Sequence, residues 1–379
     1  MLKKWKGICL LLALSIGLFS FEYVQSDHEV DTVGIQITYL DVGQGDCEII
    51  TCDNETMIID GGTRDSSDKI YTYLKNNLIS TVKYVVASHQ HEDHAGGLPA
   101  VLEAAQVQMV LLPQVTSNER YAYDKLLNKI DEKQVETHVV QAGETYSLGS
   151  ASFTILGPLQ YDVENANNDS IVLKMEYRNN TFLFTGDAEK KEEQDLLDTY
   201  GNLLKCDVVK VNHHGSADAL LSSWYAVVQP QYAVISCGEG NMYGHPHQQV
   251  LDTLQQESIP VYRTDLQGDI VCISDGDNIR ISALKETQKD VFQAPEISEY
   301  KELTADEDAE REYILNVHSM KIHLPECSSV KDISAKNRKE VFESLKNLEK
   351  VVYTNSFLQA FKVYLYRRNF HQVRAYRAC

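Results

Sequence analysis

Beyond its first two dozen residues the chain has no apolar run long enough to span a bilayer, which argues against a multi-span membrane protein. Basic charge is scarce. Against 55 Asp and Glu stand 35 Lys and Arg, a formal charge of −20. That balance opposes broad, non-specific attraction to nucleic acid, yet leaves room for a local phosphate site wherever bound cations reverse the potential. Cysteine is thin as well: eight residues, at 9, 47, 52, 206, 237, 272, 327 and 379, show no dense framework. Cys47 and Cys52 could pair in an exported chain. The main body lacks an Arg-rich stripe. Ser216, Ser222 and Ser223 have no companion triad residues, which makes a serine hydrolase a poor reading.

What is present begins with a basic start, Lys3, Lys4 and Lys6, followed by an apolar stretch over residues 8–21. This predicts a signal peptide over residues 1–26, with cleavage before Asp27, and a secreted or extracellular location. An uncleaved N-terminal anchor is the alternative. The remaining length, about 350 residues, suits one large core plus a smaller unit. The densest chemistry is SHQHEDHAGG, residues 88–97, which follows the apolar run 82–87. His89, His91, Asp93 and His94 stand there as H-x-H-x-D-H. Neutral imidazoles and a carboxylate converging from one short turn are the usual ligands of zinc and related divalent metals.

Strand patterns alternate with helical ones along residues 35–283. Strands are predicted at 35–40, 47–51, 55–59, 82–87, 107–112, 135–140, 151–156, 170–177, 181–184, 208–211, 232–236, 259–262, 268–274 and 279–283. Helices are predicted at 68–78, with Ile70, Leu74 and Leu78 on one face, and at 121–130, 190–200 and 247–256. Two strand-rich halves with interspersed helices predict two mainly antiparallel sheets covered by outer helices. Metal-binding residues fall repeatedly at strand ends, where loops on a rigid scaffold carry chemistry. Asp187 and the His213/His214 pair both end apolar runs in Gly-containing turns. Residues 31–290 form the predicted main domain, and 291–312 an acidic linker or exposed helix. Residues 313–379 are a small basic unit.

YLDVGQGDCEII, MIIDGG, SHQHEDHAGG, NNDSIVLKMEY, FLFTGDAE, VVKVNHHGS and YGHPH follow one another in the order found in the metallo-beta-lactamase superfamily. More closely, the chain resembles the hydrolase domain of the ComEC-type competence proteins and its secreted stand-alone relatives. The resemblance implies an α/β fold, the αββα sandwich, with two divalent metal ions, zinc or manganese. His89 and His91 would serve the first ion, Asp93 and His94 the second, and Asp187 would bridge them. His213 is the preferred distal ligand, and His214 is the competing assignment or a donor behind it. Many members supply another histidine before the bridging aspartate. Here that turn reads Asn165-Ala166-Asn167-Asn168-Asp169-Ser170, so Asn168 or Asp169 either touches a metal or its water or caps the turn. Asp60 is placed to orient a histidine through its other ring nitrogen, with Asp41 and Asp46 similarly placed. His245 resembles a late histidine that holds substrate phosphate or carboxylate; a helix-start role beside Pro246 is the other reading.

These parts predict a secreted binuclear hydrolase in which a metal-bound hydroxide attacks, positioned by Asp93 or Asp187, while His245 stabilises developing charge. A phosphodiester substrate, with DNA first, fits the competence-like branch. A small diester of the phosphocholine type is the runner-up, and a non-catalytic extracellular binding module is the alternative of a different class. The tail resembles an Ada-type metal-binding module in YILNVHSMKIHLPECSSVKDISAKNRKEVF, with Asn337-Arg338 opening a basic helix. Its usual closing Cys-x-x-Cys segment is missing, which leaves His323 and Cys327 as the metal candidates there.

Overall fold

A computed structural model of the protein describes residues 34–115 and 121–295, and the backbone of residues 311–316, 321–323 and 338–343. The signal segment, most of the acidic stretch, Cys327 and the tail to Cys379 lie outside the described residues. The strands run β1 (Ile35–Tyr39), β2 (Glu48–Cys52), β3 (Glu55–Ile59), β4 (Thr81–Val86), β5 (Gln106–Leu112) and β6 (Glu136–Val139), then β7 (Thr145–Leu148), β8 (Ala151–Gly157), β9 (Val172–Tyr177), β10 (Asn180–Phe184), β11 (Val208–Lys210), β12 (Tyr232–Ile235) and β13 (Val261–Arg263). The chain closes this body with β14 (Ile270–Ser274) and β15 (Ile279–Ala283). The helices are α1 (Ser67–Asn76), α2 (Glu92–Ala95), α3 (Leu98–Ala104), α4 (Tyr121–Lys133), α5 (Lys190–Tyr200), α6 (Trp224–Val228), α7 (Gln248–Gln256) and α8 (Thr264–Gln267).

Two sheets face each other. One has the order β15-β14-β1-β2-β3-β4-β5-β6, the other β13-β12-β11-β10-β9-β8-β7. Alternation along each strand divides the apolar side chains between layers, because successive residues point to opposite faces. Ile50, Met57, Phe153, Leu173, Met175 and Phe182 fill the space between the sheets. Their neighbours Ile49 and Ile58 face outward to Ile70 and Leu74 of α1, Val101 of α3 and Leu126 of α4. On the far side Val172 and Leu183 meet Leu196 of α5, Trp224 of α6 and Leu251 of α7. Each such buried side chain contributes about 1.5–3 kcal/mol. The result is helix, sheet, sheet, helix: the αββα sandwich.

Four expectations are corrected. The sheets are mixed, not mainly antiparallel: β3 through β6 are mutually parallel, as are β10 through β13. Each of these connections passes through a helix long enough to reverse the chain. Cys47 and Cys52 are both buried and free. They lie near opposite ends of one extended strand, about 16 Å apart at 3.3 Å per residue, too far to bridge. The segment from Arg338 is β18 (Arg338–Glu343), not a helix. It pairs with β16 (Arg311–Asn316), which also pairs with β17 (Lys321–His323), so ladder hydrogen bonding sets its form. In α1, Ile70 and Leu74 are buried, but Leu78 lies past the helix end and is 88% exposed.

Candidate metal centre

Parallel strands place their carboxyl ends on one edge, and ligand-binding loops collect there. Asp60 follows β3, Ser88 and His89 follow β4, Asp187 follows β10, His213 and His214 follow β11, and Ser236 follows β12. After β4 the chain turns sharply into α2, whose first residues carry Asp93 and His94. Close backbone packing fixes this turn. Gly61 N donates to His94 O at 2.7 Å, and Gly97 N to Gly62 O at 3.0 Å. A Cβ at Gly97 would overlap the Gly61 carbonyl oxygen, so glycine is required for the two loops to pass this closely.

Two ligand groups share Asp187. One comprises His89, His91 and Asp187; the other comprises Asp93, His94, Asp187 and His214. His89 Nε2 is 2.9 Å from His91 Nδ1 and 3.8 Å from Asp187 Oδ2. His94 Nε2 lies 3.2 Å from Asp187 Oδ2, while His214 Nε2 lies 3.4 Å from Asp187 Oδ1 and 3.5 Å from Asp93 Oδ2. His94 Nε2, His214 Nε2 and Asp187 Oδ1 are buried without a hydrogen-bond partner. Orphaned imidazole and carboxylate atoms converging in this way, in a nitrogen-and-oxygen donor set, fit divalent cations. His213 Nε2 is 3.5 Å from Asp187 Oδ2, and its Nδ1 is 3.3 Å from Glu189 Oε1. It stands beside the four-membered group; its neighbour His214 stands in it.

The far ring nitrogens are held from behind. His94 Nδ1 is 2.8 Å from Asp60 Oδ2, and Asp60 also accepts Ser88 N–H at 2.7 Å and Ser88 Oγ–H at 2.6 Å. His214 Nδ1 is 2.9 Å from Ser236 O and 3.1 Å from Asp46 Oδ1. With Nδ1 of His94 directed at Asp60 and Nδ1 of His214 at Ser236 O, each Nε2 is the ring atom turned toward a cation. Ser88 Oγ and Ser170 Oγ flank His89 Nδ1 at 3.0 and 3.3 Å, and Ser170 Oγ also accepts Asp187 N–H at 3.1 Å.

Charge is concentrated here. Burial alone would raise the Asp187 carboxyl, but the His214, His94 and His213 rings hold it well below the usual range. Burial likewise opposes protonation of His214, yet Asp187 and Asp46 push it up to about 10. Burial and the neighbouring His94 and His91 rings push His89 well down. A cation entering the second group must therefore displace a proton from an imidazole.

The remaining predicted residues are elsewhere or differently engaged. Asn168 Oδ1 accepts Glu189 N–H at 3.1 Å and its amide donates to Asp162; Asp169 Oδ1 accepts Asp162 N–H at 2.6 Å. Both therefore brace a turn, and Asp169 is in neither ligand group. Asp41 Oδ1 caps Gly43 N–H. His245 is buried beside the centre, its ring 5.5 Å from that of His213, with Nδ1 lacking a hydrogen-bond partner. Burial and the adjacent His214, His213 and His247 rings push it down to about 2, so it is neutral. His323 ends β17, opposite Ile314. Ser88, Ser170, Glu189 and Lys210 escape a reading from sequence. Only Lys210 gives a local signal, as a lone charge inside the apolar run VVKV.

An αββα sandwich with two His/Asp ligand sets at the strand ends defines a binuclear metal-dependent hydrolase. The chain belongs to the metallo-beta-lactamase superfamily, whose family model matches residues 40–239. It is 31% identical over 282 residues to ComE operon protein 3 of Bacillus subtilis, covering 70% of this chain and 35% of that protein. To Recombination protein 2 of Haemophilus influenzae it is 30% identical over 241 residues, covering 62% and 28%. To Competence protein ComA of Neisseria gonorrhoeae it is 27% identical over 240 residues, covering 61% and 31%. The chain thus matches about a third of the length of these relatives. Among the described residues no helix is long and apolar enough to cross a membrane.

Proposed function

We propose that the protein is an exported phosphodiesterase acting on DNA, with two zinc or manganese ions held by His89, His91 and Asp187 and by Asp93, His94, Asp187 and His214. The observation that carries this reading is that Asp187 stands in both ligand groups, with Oδ2 facing His89 of one and His94 of the other and Oδ1 facing His214. A paired site of that kind suits in-line displacement at phosphorus, where attacking and leaving oxygens both need stabilising. The names of the relatives, one a recombination protein and one a competence protein, favour nucleic acid as the diester. When bound, the ions would polarise the phosphoryl oxygens and activate water. Asp93 or Asp187 would position that water and take up its proton. His213, His91 and Asp93 stand partly exposed at the mouth. The neutral His245 donates a hydrogen bond to a phosphate oxygen. Secretion after loss of residues 1–26, and residues 313–379 as an appended unit, belong to the same reading.

Metal content and turnover measured together test it, with linear DNA and a small aryl phosphodiester as substrates. Asp187→Asn is expected to lose bound metal and at least a hundredfold in rate on both. His245→Ala is expected to keep the metal and lose turnover. An unchanged rate in Asp187→Asn rejects the mechanism. Rapid cleavage of the small diester with DNA left intact rejects the nuclease reading and favours a small-diester esterase; bound metal with no hydrolysis favours a binding module.

A further inference from the structure

The wall behind the second ligand group holds a lysine that takes no part in the chemistry described above. Lys210 ends β11 with its side chain 1% exposed, and its Nζ is ion-paired with Asp46 Oδ2. Asp46 is itself buried, in the turn between β1 and β2. Its other oxygen lies 3.1 Å from His214 Nδ1, and Oδ2 lies 3.8 Å from His94 Nδ1. Its backbone N–H donates to Asp93 O at 3.1 Å. Asp46 therefore touches His94 and His214 on the sides facing away from Asp187, and is tied to Asp93 by its backbone. Two of the four members of the second ligand group, His94 and His214, lie at one carboxylate, a third is tied to its backbone, and that carboxylate is held by one ammonium.

We infer that Lys210 is a positioning residue for the second metal: by holding Asp46 against the backs of His94 and His214 it presets both rings with Nε2 directed at the ion. The inference rests on the two-ion reading. An isolated carboxylate in this enclosed, carboxylate-rich wall would be costly to keep charged, since Glu48 and Asp60 are buried close by. Paired with Lys210, Asp46 is held in place against both rings. His94 Nδ1–H is taken by Asp60 and His214 Nδ1–H by Ser236 O, with Asp46 standing behind both, and loss of a group that orients a ligand typically weakens metal binding 10- to 100-fold. The two strands concerned belong to different sheets, β11 to one and the Asp46 turn to the other. The Lys210–Asp46 pair thus also fixes the distance across which Asp187 must meet His94.

The experiment separates positioning from simple charge balance. Zinc and manganese chlorides are titrated separately into chelator-treated full-length protein, and thermal unfolding of the same metal-free samples is recorded. Loss of one binding step in His214→Ala identifies the second site. Lys210→Met is expected to lower the unfolding midpoint and weaken the second ion at least tenfold, leaving the first step in place. Asp46→Asn/Lys210→Met, which removes both charges together, is expected to recover the midpoint while the second ion stays at least tenfold weak. Recovery of second-ion affinity in that double variant would show a buried ion pair with no positioning role, and overturn the inference. Wild-type affinity in Lys210→Met would do the same. If Lys210→Met fails to fold, the double variant alone decides. Wild-type protein that binds neither ion overturns the two-ion reading along with this one.

Discussion

His213 and His214 both sit in the left-handed region, at φ 46° and 54°, followed by Gly215 at 83°. Consecutive non-glycine residues in that conformation are uncommon and cost about 1–2 kcal/mol each. The turn throws two adjacent rings toward Asp187 from the end of a three-residue strand, which ordinary turn geometry would not do. The backbone contribution can be isolated by comparing His213→Asn with His213→Val. Both remove the imidazole, but Asn tolerates this conformation and a β-branched side chain does not. Val is expected to be less stable than Asn by about 1 kcal/mol or more in urea unfolding; equal stability would show the turn is not strained. Residues of this kind were only half legible. The ligand histidines stand out in the sequence because three of them and an aspartate crowd six positions. The choice between His213 and His214 was not legible, because it depends on two positive φ angles that neighbouring histidines do not announce. Ser88 and Ser170 are not legible for a related reason: each acts through side chains brought from other segments, Ser88 through Asp60 and Ser170 through His89.

At the scale of elements, α5 illustrates how a polar first turn can be buried. Glu192 is 1% exposed and accepts Leu159 N–H at 3.0 Å through Oε1. Burial, reinforced by Asp195 and Asp169, pushes its carboxyl up to about 8 against the pull of that N–H. The folded pKa lies above the unfolded one, near 4.3. Its contribution to stability is therefore fully present below about pH 4 and is lost as pH rises through 8. Glu192→Gln keeps the acceptor oxygen and cannot ionise. Relative to wild type it is expected to gain on the order of 3 kcal/mol between pH 5 and pH 9, and a flat difference across that range would refute the assignment. The positions of α5 and of most strands could be read from periodicity alone. Strand direction could not. A buried parallel strand and a buried antiparallel one present similar apolar runs, so β3 to β6 and β10 to β13 were read as part of mainly antiparallel sheets. Short pieces such as β7, α3 and α6 passed unnoticed; α6 has five residues, too few to establish a period.

For the whole molecule, the candidate centre lies on the seam between sheets. The loops after β4 and α2 bring His89, His91, Asp93 and His94 from one sheet; those after β10 and β11 bring Asp187 and His214 from the other. Ions held there would bind the folded state and not the unfolded one, and at a thousandfold excess over Kd would add about 4 kcal/mol. Chelation is expected to lower the unfolding midpoint and to speed amide exchange in both sets of loops together. Faster exchange confined to one sheet's loops would contradict a shared centre.

The return of β14 to pair with β1 has a consequence for biosynthesis. β1 lies between β2 and β14, and its register with β14 joins Ile35 to Ser274 and Tyr39 to Ile270. On the ribosome β1 emerges first, and its partner follows about 230 residues later. At 5–20 residues per second, the nascent chain carries one unpaired apolar edge for roughly 10–50 s. For most of that time the H-x-H-x-D-H turn is already out, but Asp187 and Lys210 arrive only as the second sheet is made. Neither the edge nor the centre can close early, so the chain must stay safe from its neighbours, and from stray metal, until the second sheet and β14 have been made.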